Sequence, residues 1–328
     1  MTAPNNILVV VDPTSDDQPA VERGAELARK LGWSLELLIC HYEPGLAAVG
    51  LLGTIKPEEL RELALARQVG LLNALARKYG DDELKISTKA VWDTPLYEGI
   101  IREALRRQPR LVMKDTHYHS AISRTLLTNT DWHLIRDCPM PLWLVKSDRM
   151  ASPTVLAAVD PLHEHDKPAA LDGRILAEAK TFAELLGGEL HVFHGYDTAP
   201  ALASISGGPI GSPAGPLPVA DIIENMDKEH RTALLELTRQ HDIPQERVHL
   251  EQGAVVATLC STASELTAGV VVMGAVSRSL IQRATIGSLA EQALDRLPCD
   301  VLIVKNKGFE SEVMYKPQPA SFQQAVNN

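Results

Sequence analysis

Short, nearly continuous apolar runs alternate along this chain with longer segments in which apolar positions recur every three or four residues. The first pattern predicts strands buried on both faces, the second amphipathic helices. Ile7-Leu8-Val9-Val10-Val11-Asp12-Pro13 reads as a strand ending in an Asp-Pro turn, and Val155-Leu156-Ala157-Ala158-Val159-Asp160-Pro161 repeats it. A polar loop and a helix follow each: Pro19 to Lys30, stopped at Gly32, and Pro168 to Leu186, stopped at Gly187-Gly188. Second strands are expected at Ser34 to Cys40 and Glu189 to Tyr196. Both segments close alike, with Pro141-Leu142-Trp143-Leu144-Val145-Lys146 and Asp300-Val301-Leu302-Ile303-Val304-Lys305. A tandem duplication accounts for these recurrences.

Between the landmarks the first copy predicts a helix at Pro57 to Tyr79, a strand at Leu84 to Val91, a helix at Leu96 to Arg107 and a strand at Arg110 to Lys114. The second predicts Ala220 to Gln240, Arg247 to Gln252, Ala254 to Thr267 and Val270 to Gly274 in the same order. Strands alternating with helices mean right-handed crossovers and a parallel sheet with helices on both faces. The expected architecture is α/β: two tandem five-stranded parallel open sheets, in domains 1–148 and 152–307, with a flexible tail over 308–328. Residues 197 to 218, rich in Pro, Gly, Ser and Ala, are the longest expected loop, either a surface insertion or a lid.

Length agrees with two domains, since 328 residues exceed one ordinary core. A formal charge of −10 disfavours direct nucleic-acid binding, and four Trp, six Tyr and four Phe leave little for base stacking. No apolar stretch is long enough to span a bilayer, and no secretory signal is visible at Met1 to Asn6, so a cytoplasmic location is expected. Cys40, Cys138, Cys260 and Cys299 lie too far apart for a C-x-x-C site and read as reduced thiols.

In an open parallel sheet, ligands bind beyond the carboxyl ends of the strands where the strand order reverses. In the second copy Asp160, Gly195, Gly253 and Gly274 occupy those ends. Gly274-Ala275-Val276-Ser277-Arg278 is followed by Ile286-Gly287-Ser288-Leu289. Gly274 permits a tight turn with convergent N–H groups, and Gly287-Ser288 opens a helix over Leu289 to Leu297 whose free N–H groups favour a phosphate. Ser288 with Glu291 also reads as a capping box that needs no ligand.

On these residues the chain resembles the universal stress protein family in its tandem form. That family's nucleotide pattern is glycine, two residues, glycine, nine residues, glycine, then serine or threonine. Gly274, Ser277, Gly287 and Ser288 stand at those spacings, with Ser277 in place of the second glycine. The resemblance covers about residues 5 to 306 and implies an adenine-nucleotide-binding, Rossmann-like fold in each unit. It implies ATP (with Mg²⁺) held in the second domain only, by Gly274, Ser277, Arg278, Gly287, Ser288 and Leu289. Asp160 would face the adenosine part and Gly195 would lie near the base. Stress endurance, including DNA-damage tolerance, is the role it implies, with ATP as a regulatory ligand and protein partners unidentified.

The first copy departs from the pattern. Lys114-Asp115-Thr116-His117 replaces the first two glycines, and Leu127-Thr128-Asn129-Thr130 offers no Gly-Ser, so no ATP is expected there. His117 and His119, with His133 or Asp131, invite a metal reading but lack a specified third ligand, and no metal site is assigned. His163 with His165 lies in a polar loop, and His191 and His194 should point to opposite sides of a strand. No P-loop, nucleophile elbow, H-E-x-x-H or dinucleotide motif is present, so no catalytic residue is assigned and at most slow ATP hydrolysis is expected. The apolar closing strands, Leu142 to Val145 and Val301 to Val304, are exposed edges in isolation. Their meeting within one chain predicts an intramolecular pseudo-dimer, with further association into a homodimer left open. A ligand-independent interaction scaffold is the alternative to the nucleotide-responsive reading.

Overall fold

A computed structural model describes residues 5–46, 56–116, 128–146, 150, 152–162, 170–206, 219–275 and 288–314. The first unit runs β1 (Asn6–Val10), α1 (Pro19–Leu31), β2 (Ser34–His41), α2 (Pro57–Tyr79), β3 (Ile86–Trp92), α3 (Leu96–Arg107), β4 (Leu111–Asp115), α4 (Asn129–Asp137) and β5 (Leu142–Val145). The second runs β6 (Val155–Ala158), α5 (Ala170–Leu186), β7 (Leu190–Tyr196), α6 (Ala199–Ser206), α7 (Val219–Arg239), β8 (Val248–Gln252), α8 (Val255–Glu265), β9 (Val270–Gly274), α9 (Ser288–Arg296) and β10 (Asp300–Val304).

The helix limits have local causes. Pro19 and Pro57 start α1 and α2 at positions where the missing N–H costs nothing. Gly32 ends α1 at φ 63°, and Gly187 follows α5 at φ 71°, both left-handed conformations that glycine adopts freely. Helix α6 is a correction to the loop reading of 197–218, because its Ala-rich first half coils into two turns. Residues 207–218 lie outside the described set.

All ten strands form one sheet in the order β3-β2-β1-β4-β5-β10-β9-β6-β7-β8. Within each unit the pairing is parallel, as expected, and β5 meets β10 antiparallel. Leu144 lies opposite Val301, Trp143 opposite Leu302 and Leu142 opposite Ile303. Trp143 thus faces the residue that corresponds to it in the duplicated closing run, so a pseudo-two-fold axis passes through this pair.

Alternate residues of each strand feed two apolar layers. Ile7, Val9, Trp143, Leu302 and Val304 join α1, α2, α5 and α7 on one face. Leu8, Val10, Leu142, Leu144, Val301 and Ile303 join α3, α4, α8 and α9 on the other. Each layer continues from one unit into the other, which explains why the strands read as unbroken apolar runs. Beyond β10 the chain crosses back onto the first unit: Val313 is 9% exposed and Arg102 donates to the Met314 carbonyl at 3.3 Å. The first part of the segment expected as a flexible tail is therefore docked there.

Candidate nucleotide site and its degenerate counterpart

Strand β6 is flanked by β9 on one side and β7 on the other, so the connections leave it in opposite directions and open a crevice between the ends of β6 and β9. Asp160 and Gly274 lie at this crevice, with Ala158 opposite Met273 in the ladder. The Asp160 N–H donates to Asp172 Oδ1 of α5 at 3.0 Å, which fixes the turn after β6. Gly195 sits one strand further out, inside β7 and opposite Glu251 of β8. Ser288 and Leu289 are the first residues of α9. Ser277, Arg278 and Gly287 fall among residues 276–287, outside the described set.

Gly274 corrects one expectation. It ends β9 without a left-handed φ; a Cβ there would come within 2.7 Å of Leu171 Cδ2 and 3.2 Å of Ile175 Cδ1. The glycine admits α5 against the strand end, rather than supplying an unusual turn. Gly195 is tight in the same way, with Phe193 Cζ 2.9 Å from the Cβ position.

A buried polar relay that sequence reasoning missed adjoins Asp160. His194 Nδ1 lies 3.1 Å from the Val159 carbonyl and His194 Nε2 lies 2.8 Å from His230 Nδ1 of α7. A carbonyl can only accept, so His194 carries its proton on Nδ1 and accepts at Nε2 from His230. His230 stacks on Tyr196 at 4.2 Å, and the Tyr196 hydroxyl donates to Asp227 at 2.9 Å. Burial pushes the His194 imidazole down to about 4, so it is neutral near pH 7. His191 faces the opposite side of β7, as alternation requires, with its Nδ1 3.0 Å from His249 Nε2.

The counterpart crevice in the first unit is filled from within. Asp115 stands opposite Val145 as Gly274 stands opposite Val304, so Asp115, not Lys114, takes the place of Gly274. Lys114, in the place of Met273, holds Asp131 Oδ1 at 2.8 Å and donates to the Asp115 carbonyl at 2.9 Å. Asp131 is fully buried in the first turn of α4, where its Oδ2 accepts from the N–H (2.7 Å) and hydroxyl (2.8 Å) of Thr128. Thr128 and Asp131 thus make a capping box that uses the helix start on a protein carboxylate. His133 stacks on Tyr97 at 3.9 Å, and its Nδ1 lies 2.6 Å from Arg136 Nη2. His117 and His119 lie outside the described residues. No three metal-ligating side chains gather among the described residues.

The sequence model of the universal stress protein family matches residues 4–146 and again 153–305. The chain belongs to the universal stress protein family. It is 30% identical over 313 residues to universal stress protein E of Escherichia coli K12, covering 94% of this chain and 96% of that one. A functionally unknown protein from Pseudomonas aeruginosa PAO1 shares the fold with a TM-score of 0.64 and 27% identity, covering 93% of each chain. A universal stress protein from Archaeoglobus fulgidus shares it with a TM-score of 0.64 at 18% identity, over 94% of this chain and all of that one. A role in the stress response is what this membership supports. No helix among the described residues is long and apolar enough to cross a membrane.

Proposed function

We propose that this tandem universal stress protein acts in stress endurance, DNA-damage tolerance included, and that it binds ATP with Mg²⁺ in its second unit as a regulatory ligand. The observation that carries the reading is the contrast between the two crevices. In the second unit Gly274 keeps the end of β9 free of a side chain, while Met273 and Ala290 replace the ion-pair partners Lys114 and Asp131. A helix start with free N–H groups at a switch point is suited to a phosphate. Asp160 follows the neighbouring strand β6, where the family resemblance would set the adenosine part. Ser277, Arg278 and Gly287 would complete the phosphate side.

The first unit is read as a packing partner that holds no nucleotide, because its helix start already serves Asp131. No nucleophile or catalytic base is assigned, so the ligand is read as changing conformation rather than as a substrate for rapid turnover. Thermal unfolding with and without ATP and Mg²⁺ tests the proposal. Wild type should gain several degrees at millimolar ATP and Gly287→Val none. Equal shifts in both, or none in either, would leave the scaffold reading in its place.

A further inference from the structure

The seam between the units carries ionic groups that the pseudo-two-fold axis does not repeat. At the start of β10 the fully buried Asp300 receives donors from Arg23, Trp143 and Lys146 of the first unit. Arg23 of α1 binds its Oδ2 at 2.5 Å, the Trp143 indole N–H binds the same oxygen at 3.0 Å, and the Lys146 N–H binds Oδ1 at 2.9 Å. Its counterpart in the first closing run is Pro141, which offers no acceptor side chain. Arg23 stands nine residues before the helix-ending Gly32; the residue nine before Gly187 is Glu178, of opposite charge. Glu178 in turn takes Arg110 of the first unit at 2.6 Å, together with Arg174 of its own helix at 3.0 Å.

Other parts of the seam are reciprocal. The Lys146 ammonium donates to the Leu297 carbonyl at the end of α9 at 3.0 Å, and the Lys305 ammonium to the Arg136 carbonyl near the end of α4 at 2.8 Å. These lysines would serve any pairing of the two unit types, whereas Arg23, Asp300, Glu178 and Trp143 would not. Two first units set face to face would bury Arg23 opposite Pro141 and two Trp143 rings on one axis. Two second units would bury Asp300 against Glu178 and leave two Leu302 side chains where one Trp fills the space.

We infer that the two faces are complementary only to each other: the partner for the first unit's β5/α1 face is a second-type unit presenting Asp300, not another copy of itself. Unpaired buried charge sets a preference on the order of a hundredfold or more against either like pair. This inference does not depend on the nucleotide reading.

The test uses the full chain with a protease site placed within residues 147–151 and cut after folding. Unlabelled and ¹⁵N-labelled cut chains are mixed in urea just below the unfolding transition, returned to buffer and weighed by native mass spectrometry. Labelled–unlabelled hybrids report that exchange has occurred. The expected pairs all join a first to a second unit, with like pairs below about 2% of the total; a larger share of like pairs overturns the inference. Pro141→Asp with Trp143→Leu gives the first unit the missing carboxylate and removes the doubled ring, and should bring first–first pairs into view. Should the halves fail to exchange, Asp300→Asn in the uncut chain decides: a thermal midpoint lower by about 5 °C or more is expected, and an unchanged midpoint contradicts the assigned role of Asp300.

Discussion

Replacing Asp131 by alanine removes a carboxylate that accepts from the Thr128 N–H and hydroxyl and pairs with the Lys114 ammonium. The variant keeps Lys114 buried with the Asp115 carbonyl as its remaining neighbour among those described. Breaking a buried ion pair from one side costs about 3–4 kcal/mol, part of it the lost helix cap. Lys114→Met should cost less, about 1–2 kcal/mol, because Asp131 retains both Thr128 donors. The double variant restores the apolar character that Met273 and Ala290 give the second unit, and should cost only about 2 kcal/mol. The coupling of the two residues is then roughly 2–4 kcal/mol, measured as a double-mutant cycle by urea denaturation. For a chain of this size a 3 kcal/mol loss moves the midpoint by about 1 M. Additive effects, with a coupling under about 0.5 kcal/mol, would refute the claim that this pair fills the first crevice as a unit.

Acid should act through His194. Its folded-state value lies below that of the unfolded chain, so the unfolded chain takes up the proton first as pH falls. Stability should decline from about pH 6.5 down to about 4, by up to roughly 3 kcal/mol, and His194→Gln should flatten that part of the curve. Lys305, pushed down to about 8 by burial, gives a slope of the same sign on the alkaline side. The unfolded chain holds this proton up to about pH 10.5, so wild type should gain stability relative to Lys305→Met between pH 8 and 10.5, followed by urea titration. Gly274→Ala should cost about 1–2 kcal/mol, since Leu171 and Ile175 must retreat from the new methyl group; an unchanged midpoint would argue against tight packing there. Gly188→Ala should cost more, because the methyl would meet the Pro153 carbonyl oxygen at 1.9 Å and main chain yields less readily than a side chain.

The periodic elements were legible because each is set by its own residues. The limits of α2, α3, β5 and β9 follow from the apolar period and from terminal signals such as Pro57. Helix α4 announced itself only in the Thr128-x-x-Asp131 cap, a short motif easily passed over when the neighbouring glycines are missing. Gly274 was visible as a site residue, but its reason was not: the constraint comes from Leu171 and Ile175 on a helix a hundred residues earlier. Long-range polar pairs leave no periodic trace. The partners Arg23 and Asp300, 277 residues apart, each look like surface charges in sequence, and so do Lys114 and Asp131. The His194–His230 relay was half visible, since alternation gave the side of β7 but not the helix residue that meets it. The docked segment ending at Met314 is likewise set by Arg102 and the core around Val313, not by a pattern of its own.

One working nucleotide site is proposed for this protein, in the second unit. Calorimetric titration of ATP with Mg²⁺ into protein stripped of carried nucleotide by denaturation and refolding tests it most directly. Saturation at one ATP per chain is expected, unchanged in Asp131→Asn and lost in Gly287→Val. Two ATP per chain, or a single site that survives Gly287→Val, would contradict it.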